Sequence, residues 1–131
     1  MKIGITIWED RVSPVLDTAQ RLLTVEMNLG GETSRQILSI PDLPLAQKAQ
    51  FISSTGIRLL ICGAASRFLE RNLMSRGVEV IPWIRGPIEA VLAAFCNDQL
   101  EDRSFYLPAC PMRGRRRQRG GRKGKRARRG A

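Results

Sequence analysis

Three cysteines, at positions 62, 96 and 110, are the residues of this 131-residue chain best suited to binding chemistry. Cys62 closes the apolar run "RLLIC" and is followed by the small run Gly63-Ala64-Ala65. A thiol at the end of a strand and beside a helix start has its pKa lowered toward thiolate, the form that binds soft metals. Glycine and alanine next to it leave room above a sheet and let backbone N–H groups approach an anionic guest. Arg67 and Arg85 follow two of the strand ends and supply cations for such a guest, and Ser13-Pro14 follows a third. The expected pocket is therefore Cys62 as metal ligand with Ser13, Gly63, Ala64, Arg67 and Arg85 around it. Cys110, between Pro108 and Pro111, is the candidate second thiolate, carried over the pocket on a flexible arm. The competing readings are plainer. Free cysteine is among the most buried residue types, so Cys62 also suits the end of a covered strand, Cys110 an exposed thiol, and Cys96 packing beside Phe95.

Other chemistry is excluded by composition. The chain has no histidine, which removes Ser-His-Asp and Cys-His catalysis and the commonest transition-metal ligand. Glu9, Asp10 and Asp17 are too few to converge on a divalent metal as nuclease acids do, and read as solvated loop acids. Trp83 reads as a core or rim aromatic. An odd number of cysteines is a poor disulfide framework and points to a reduced, cytoplasmic setting. No apolar run approaches the ~20 residues of a membrane span.

The charge is divided. Residues 1–112 carry 11 Lys+Arg against 12 Asp+Glu, whereas residues 113–131 carry 11 Lys+Arg and no acid. The body is a near-neutral domain over residues 1–104, and residues 105–131 read as a disordered basic tail containing Cys110. Arg115, Arg116, Arg117, Arg119 and Arg122 sit among glycines without an aromatic residue, so the tail supports non-specific contact with nucleic acid or another polyanion.

The elements that must position these residues follow from period. Ile3, Ile5 and Ile7 alternate with Lys2, Gly4 and Thr6 as in a strand. Leu23, Val25, Met27 and Leu29 alternate likewise, Gly30-Gly31 makes a hairpin turn, and a return strand covers about residues 33–40. Pro44, with Leu45, Ala49 and Ile52, opens a helix that Gly56 stops. Residues 58–62 form a strand covered on both faces. Ser66 caps a helix bearing Phe68, Leu69 and Leu73, ended by Gly77. Residues 78–81 form a strand, and Pro87 opens a helix with Ile88, Val91, Leu92 and Phe95 on one face. The order β-β-β-α-β-α-β-α predicts an α/β fold with a mixed five-stranded sheet and helices packed on it. Ligands of such sheets bind beyond the carboxyl ends of the parallel strands.

The stretches "MKIGITIWEDRVSPVLDTAQRLL", "LLICGAASRFLERNLMSRGVEVIPWIRGPIEAVLAAF" and "YLPACPMRGRRRQRGG" resemble the dinitrogenase iron-molybdenum cofactor biosynthesis family, the small NifX-like carriers. The resemblance covers residues 1 to about 100, through "SP…D" after the first strand, "ICG" at the fourth and "GP…EA…AF" opening the last helix. It implies a ribonuclease-H-like three-layer fold. It also implies non-enzymatic, transient binding of an iron-sulfur or iron-molybdenum type cluster, passed between donor and acceptor proteins.

Overall fold

The computed structural model describes residues 1–28 and 31–97; Leu29, Gly30, Cys110 and the arginines of the tail lie outside them. The described elements are β1 (Lys2–Trp8), β2 (Arg11–Val12), β3 (Arg21–Asn28), β4 (Gly31–Ser39), α1 (Leu45–Ser54), β5 (Leu59–Ile61), α2 (Arg67–Ser75), β6 (Glu79–Ile81) and α3 (Ile88–Cys96). The sheet runs β4-β3-β1-β5-β6, with β2 paired to the end of β1. β1 is antiparallel to β3 and parallel to β5, which is parallel to β6. The carboxyl ends of β1, β5 and β6 therefore meet at one rim.

Among the described residues the sheet has six strands rather than the expected five. The addition is β2, whose two residues are too few to show a period. The chain reverses at Glu9-Asp10 and returns against its own strand, Ile7 opposite Val12 and Trp8 opposite Arg11. β4 begins at Gly31, where φ is +108°, and ends at Ser39, close to the expected return strand.

Alternation decides which helix covers which face. Ile3, Ile5 and Ile7 of β1, with Leu59 and Ile61 of β5, pack with Val91, Leu92 and Ala94 of α3. The opposite parity, Leu22, Leu60 and Val80, packs with Ala49 and Ile52 of α1 and Leu69 and Leu73 of α2. Each fully buried Leu or Ile contributes about 1.5–3 kcal/mol, so these two layers carry most of the fold's stabilisation.

The helix ends are those the sequence signals. Ser66 Oγ accepts from the Leu69 amide at 3.2 Å, and α1 and α3 start directly after Pro44 and Pro87. α1 and α2 stop at Gly56 and Gly77, whose φ values are +89° and +87°. Lys2 Nζ donates to the Thr55 carbonyl at 3.1 Å, placing a cation at the negative end of α1. One tie was not legible in the sequence. Arg35 of β4 donates to both carboxylate oxygens of Glu89, at 2.6 and 2.7 Å, and to Glu32 beside it. These hydrogen bonds raise the Arg35 pKa, keep the Glu89 carboxyl below its usual range, and fix the start of α3 over the outer strands.

Candidate functional site

The rim is built from three loops laced together by backbone hydrogen bonds. After β1 and β2 the chain crosses the end of β5 as a strap, residues 13–17. Ser13 N donates to the Thr6 carbonyl at 2.8 Å, Ala64 N to Pro14 O at 2.8 Å, and Leu16 N to Ala64 O at 2.7 Å. The turn after β6 closes from the other side, with Trp83 N donating to Gly63 O and Ile84 N to Cys62 O, both at 2.9 Å. Val12 N donates to Gly86 O, and Ile88 N to Asp10 O, joining the third loop to the first.

Asp17 anchors the far end of the strap. Its Oδ1 accepts from the Ser66 amide at 2.9 Å, at the positive start of α2. Its backbone carbonyl accepts from Lys48 Nζ of α1 at 2.6 Å. Lys48 is buried, and desolvation lowers its pKa against the opposing pull of Asp17 and Asp42. Asp17 is thus a structural clamp and not the solvated acid its loop position implied. Lys48 lies on the same apolar stripe as Leu45, Ala49 and Ile52, and a lone lysine there was the sequence signal for a buried ammonium.

The expected hollow above Cys62 does not exist in this arrangement. A Cβ added to Gly63 would stand 2.3 Å from Pro14 O and 2.4 Å from Ser13 O. The glycine makes room for the chain's own strap, not for a guest. Cys62 is 0% exposed, in one cluster with Leu16, Leu22, Leu60, Leu69 and Leu73. Its pKa moves the opposite way from the thiolate expectation. Burial pushes it well above the ordinary thiol value, and the carboxylates of Glu70 and Asp17 push the same way. The plainer reading of Cys62, a small apolar residue finishing a covered strand, is what the coordinates place there.

The other expected pocket residues are separated. Ser13, Gly63 and Ala64 do come together, but as strap against strand end. Arg67 is exposed on the outer face of α2, where it lines a shallow depression with Phe68, Arg71, Asn72 and Ser75. Arg85 is exposed in the turn after β6. Cys96 is exposed at the end of α3 rather than packed, and Trp83 is half-buried against the α3 layer. Cys110 lies outside the described residues.

The open space lies on the other side of the strap. A cleft of about 520 Å³ is lined by Ile7, Trp8, Glu9, Ser13, Pro14, Thr18, Ala19, Gln20 and Arg21. Trp8 stands at its lip, 57% exposed. It shares the parity of Gly4 and Thr6, opposite to the three isoleucines, so a bulky aromatic there was the sequence signal for a rim residue. Glu9 and Trp83 hold φ of +56° and +68°, a conformation that costs a non-glycine residue roughly 1–3 kcal/mol. Both strained residues sit at this rim. The cleft offers a hydroxyl pair, an amide, one carboxylate, one guanidinium and an indole. Among the described residues no three His, Cys, Asp or Glu side chains converge as a metal-ligand set. A permanently ligated cluster does not fit these donors; a guest held by hydrogen bonds, charge and an aromatic wall does.

No protein-family model matches the chain, and no curated protein matches it. Solved structures do. The crystal structure of the protein PH0822 has a TM-score of 0.71 at 18% identity, over 76% of this chain and 93% of that one. A proposed dinitrogenase from Methanocaldococcus jannaschii gives 0.60 at 18% identity, over 76% and 90%. The apo form of the orange protein from Desulfovibrio gigas gives 0.63 at 16% identity, over 75% and 88%. What these proteins share with the chain is the fold. A proposed NifB protein from Thermotoga shares it too, with a TM-score of 0.59 at 17% identity, over 75% of this chain and 89% of that one.

Proposed function

We propose that the chain is a non-enzymatic, NifX-like carrier of ribonuclease-H-like fold whose transient cargo is an iron-sulfur or iron-molybdenum type cluster. The cargo docks in the cleft beside Trp8. The carrying observation is that cleft, at the carboxyl end of β1, where ligands of such sheets bind. The reading is supported by the shared fold with proteins named as a dinitrogenase and a NifB protein. Arg21 supplies charge to an anionic cargo, Ser13, Thr18 and Gln20 supply hydrogen bonds, and Trp8 covers it. A cargo that must be handed on gains from this arrangement, because the cleft lining itself holds it by hydrogen bonds, charge and an aromatic wall, contacts that exchange readily on release.

Anaerobic loading of the full chain with iron and sulfide, read as bound iron and visible absorbance, tests the reading. Trp8→Ala combined with Arg21→Glu removes the aromatic wall and reverses the charge. Two such contacts at about 1.4 kcal/mol each make a roughly hundredfold loss of affinity, while Cys96→Ser leaves loading unchanged. Equal loading of the cleft variant and the wild type would overturn it.

The tail supports a second reading, an adaptor that binds nucleic acid or another polyanion through Arg115, Arg116, Arg117, Arg119 and Arg122. The observation favouring it is the 11 Lys+Arg without an acid in residues 113–131. With about six phosphates neutralised, affinity for duplex DNA falls with salt at a log–log slope near −5. Truncation after Met112 is expected to abolish that slope. The same slope in the truncated chain would place the contact on the folded body.

A further inference from the structure

The strap has two sides. Ser13 and Pro14 line the cleft, while their carbonyl oxygens press on Gly63 at the end of β5. Beneath it lie two groups that the cleft does not use. Ile5 of β1 is in register with Ile61 of β5, so Thr6 and Cys62 follow side by side at the strand ends. Both have the parity that faces α1 and α2. Cys62 is 0% exposed, and so is Thr6, whose Oγ1 has no hydrogen-bond partner. A buried hydroxyl without a partner is costly, and valine would fill the same volume without that cost.

We propose that residues 13–17 are a movable strap, and that its displacement joins the cleft to a latent donor pair, the Cys62 thiol and the Thr6 hydroxyl, able to take a soft metal ion of the cargo. This deepens the carrier reading and rests on it. The strap has one large apolar anchor, Leu16, whereas Pro14 and Val15 are exposed. The rest of its hold is a few backbone hydrogen bonds and the clamp on Asp17 from Lys48 and the Ser66 amide. Segments with so few apolar contacts open locally at less cost than the whole domain. Once the strap lifts, water enters and the metal reaches the sulfur. The thiol proton leaves to that water as the S–metal bond forms, and the Thr6 oxygen faces the metal as a neutral acceptor.

The test needs no cluster, so its failure is distinguishable from failure of the carrier reading. In the full chain carrying Cys96→Ser and Cys110→Ser, only Cys62 can be alkylated. Asp17→Ala and Lys48→Met each remove half of the clamp and are expected to raise the alkylation rate roughly tenfold, the size of one lost hydrogen bond to a charged group. That rate depends only weakly on low urea, as local opening does. The same variants take up cadmium ion alone with a sulfur-to-cadmium absorption band that Cys62→Ala removes. Val91→Ala, on the opposite face of the sheet, accelerates alkylation only through global unfolding, with steep urea dependence. If the clamp variants show that same steep dependence, or bind no cadmium through Cys62, the proposal is overturned. Should they fail to fold, the urea dependence of the parent chain decides: shallow supports the strap, steep overturns it.

Discussion

Gly63→Ala is expected to destabilise the full chain by about 3 kcal/mol or more, measured as a lower guanidinium midpoint with an unchanged slope. The added Cβ would meet Ser13 O, Pro14 O and Pro14 C at 2.3–2.6 Å, all backbone atoms of the strap. A flexible side chain could rotate away from such a clash, but a backbone segment has to move as a unit. Moving it breaks the Ala64–Pro14 and Leu16–Ala64 hydrogen bonds and uncovers Leu16 and Cys62. Gly77→Ala is the comparison. Nothing lies within 4 Å of its added Cβ and only the positive φ of +87° resists, so it costs about 1 kcal/mol. If the two substitutions cost the same, the strap does not rest on Gly63 as described.

The second large effect is a loss of stability in alkali. Burial raises the Cys62 pKa in the folded chain above its ordinary value of 9.0. Above that pH the unfolded chain gives up the thiol proton while the folded chain keeps it, so the unfolded state holds fewer protons. Stability then falls as pH rises, by up to about 1.4 kcal/mol per pH unit, and is independent of this group below pH 9. Lys48 works in the other direction. Its folded pKa is lowered, so folding gains stability as pH rises toward 10.5, the ordinary lysine value. The difference between wild type and Cys62→Ala cancels the lysine and isolates the thiol. Equilibrium unfolding from pH 8 to 10 should show the wild type losing stability relative to Cys62→Ala; parallel curves would mean that the thiol is not sealed.

Much of the architecture was legible because it follows from period and punctuation. Ile3, Ile5 and Ile7 announce a strand with one covered face, and Ser66, Pro44 and Pro87 mark helix starts by the backbone groups they cap or lack. The candidate site was legible only in part. "CGAAS" identifies a place where something approaches the backbone closely, and a small residue serves an approaching ligand and an approaching loop equally well. Which one it is depends on where residues 13–17 cross, a non-local contact with no periodic trace. For the same reason "SP…D" points to the right loop without showing that Asp17 is a clamp on α2. The cleft was missed because its lining joins the end of β1 to residues 18–21, with only the parity of Trp8 hinting at it. Arg67 and Arg85 follow strand ends in sequence, yet neither lines the cleft, and Arg67 borders a separate depression on α2.

Anomalous scattering from iron in crystals of the anaerobically loaded full chain tests the carrier site most directly. That density is expected in the cleft between Trp8 and Arg21, against Ser13 and Pro14 of the strap. Iron density on the outer face of α2, or no ordered iron in crystals of chains shown to be loaded, would contradict it.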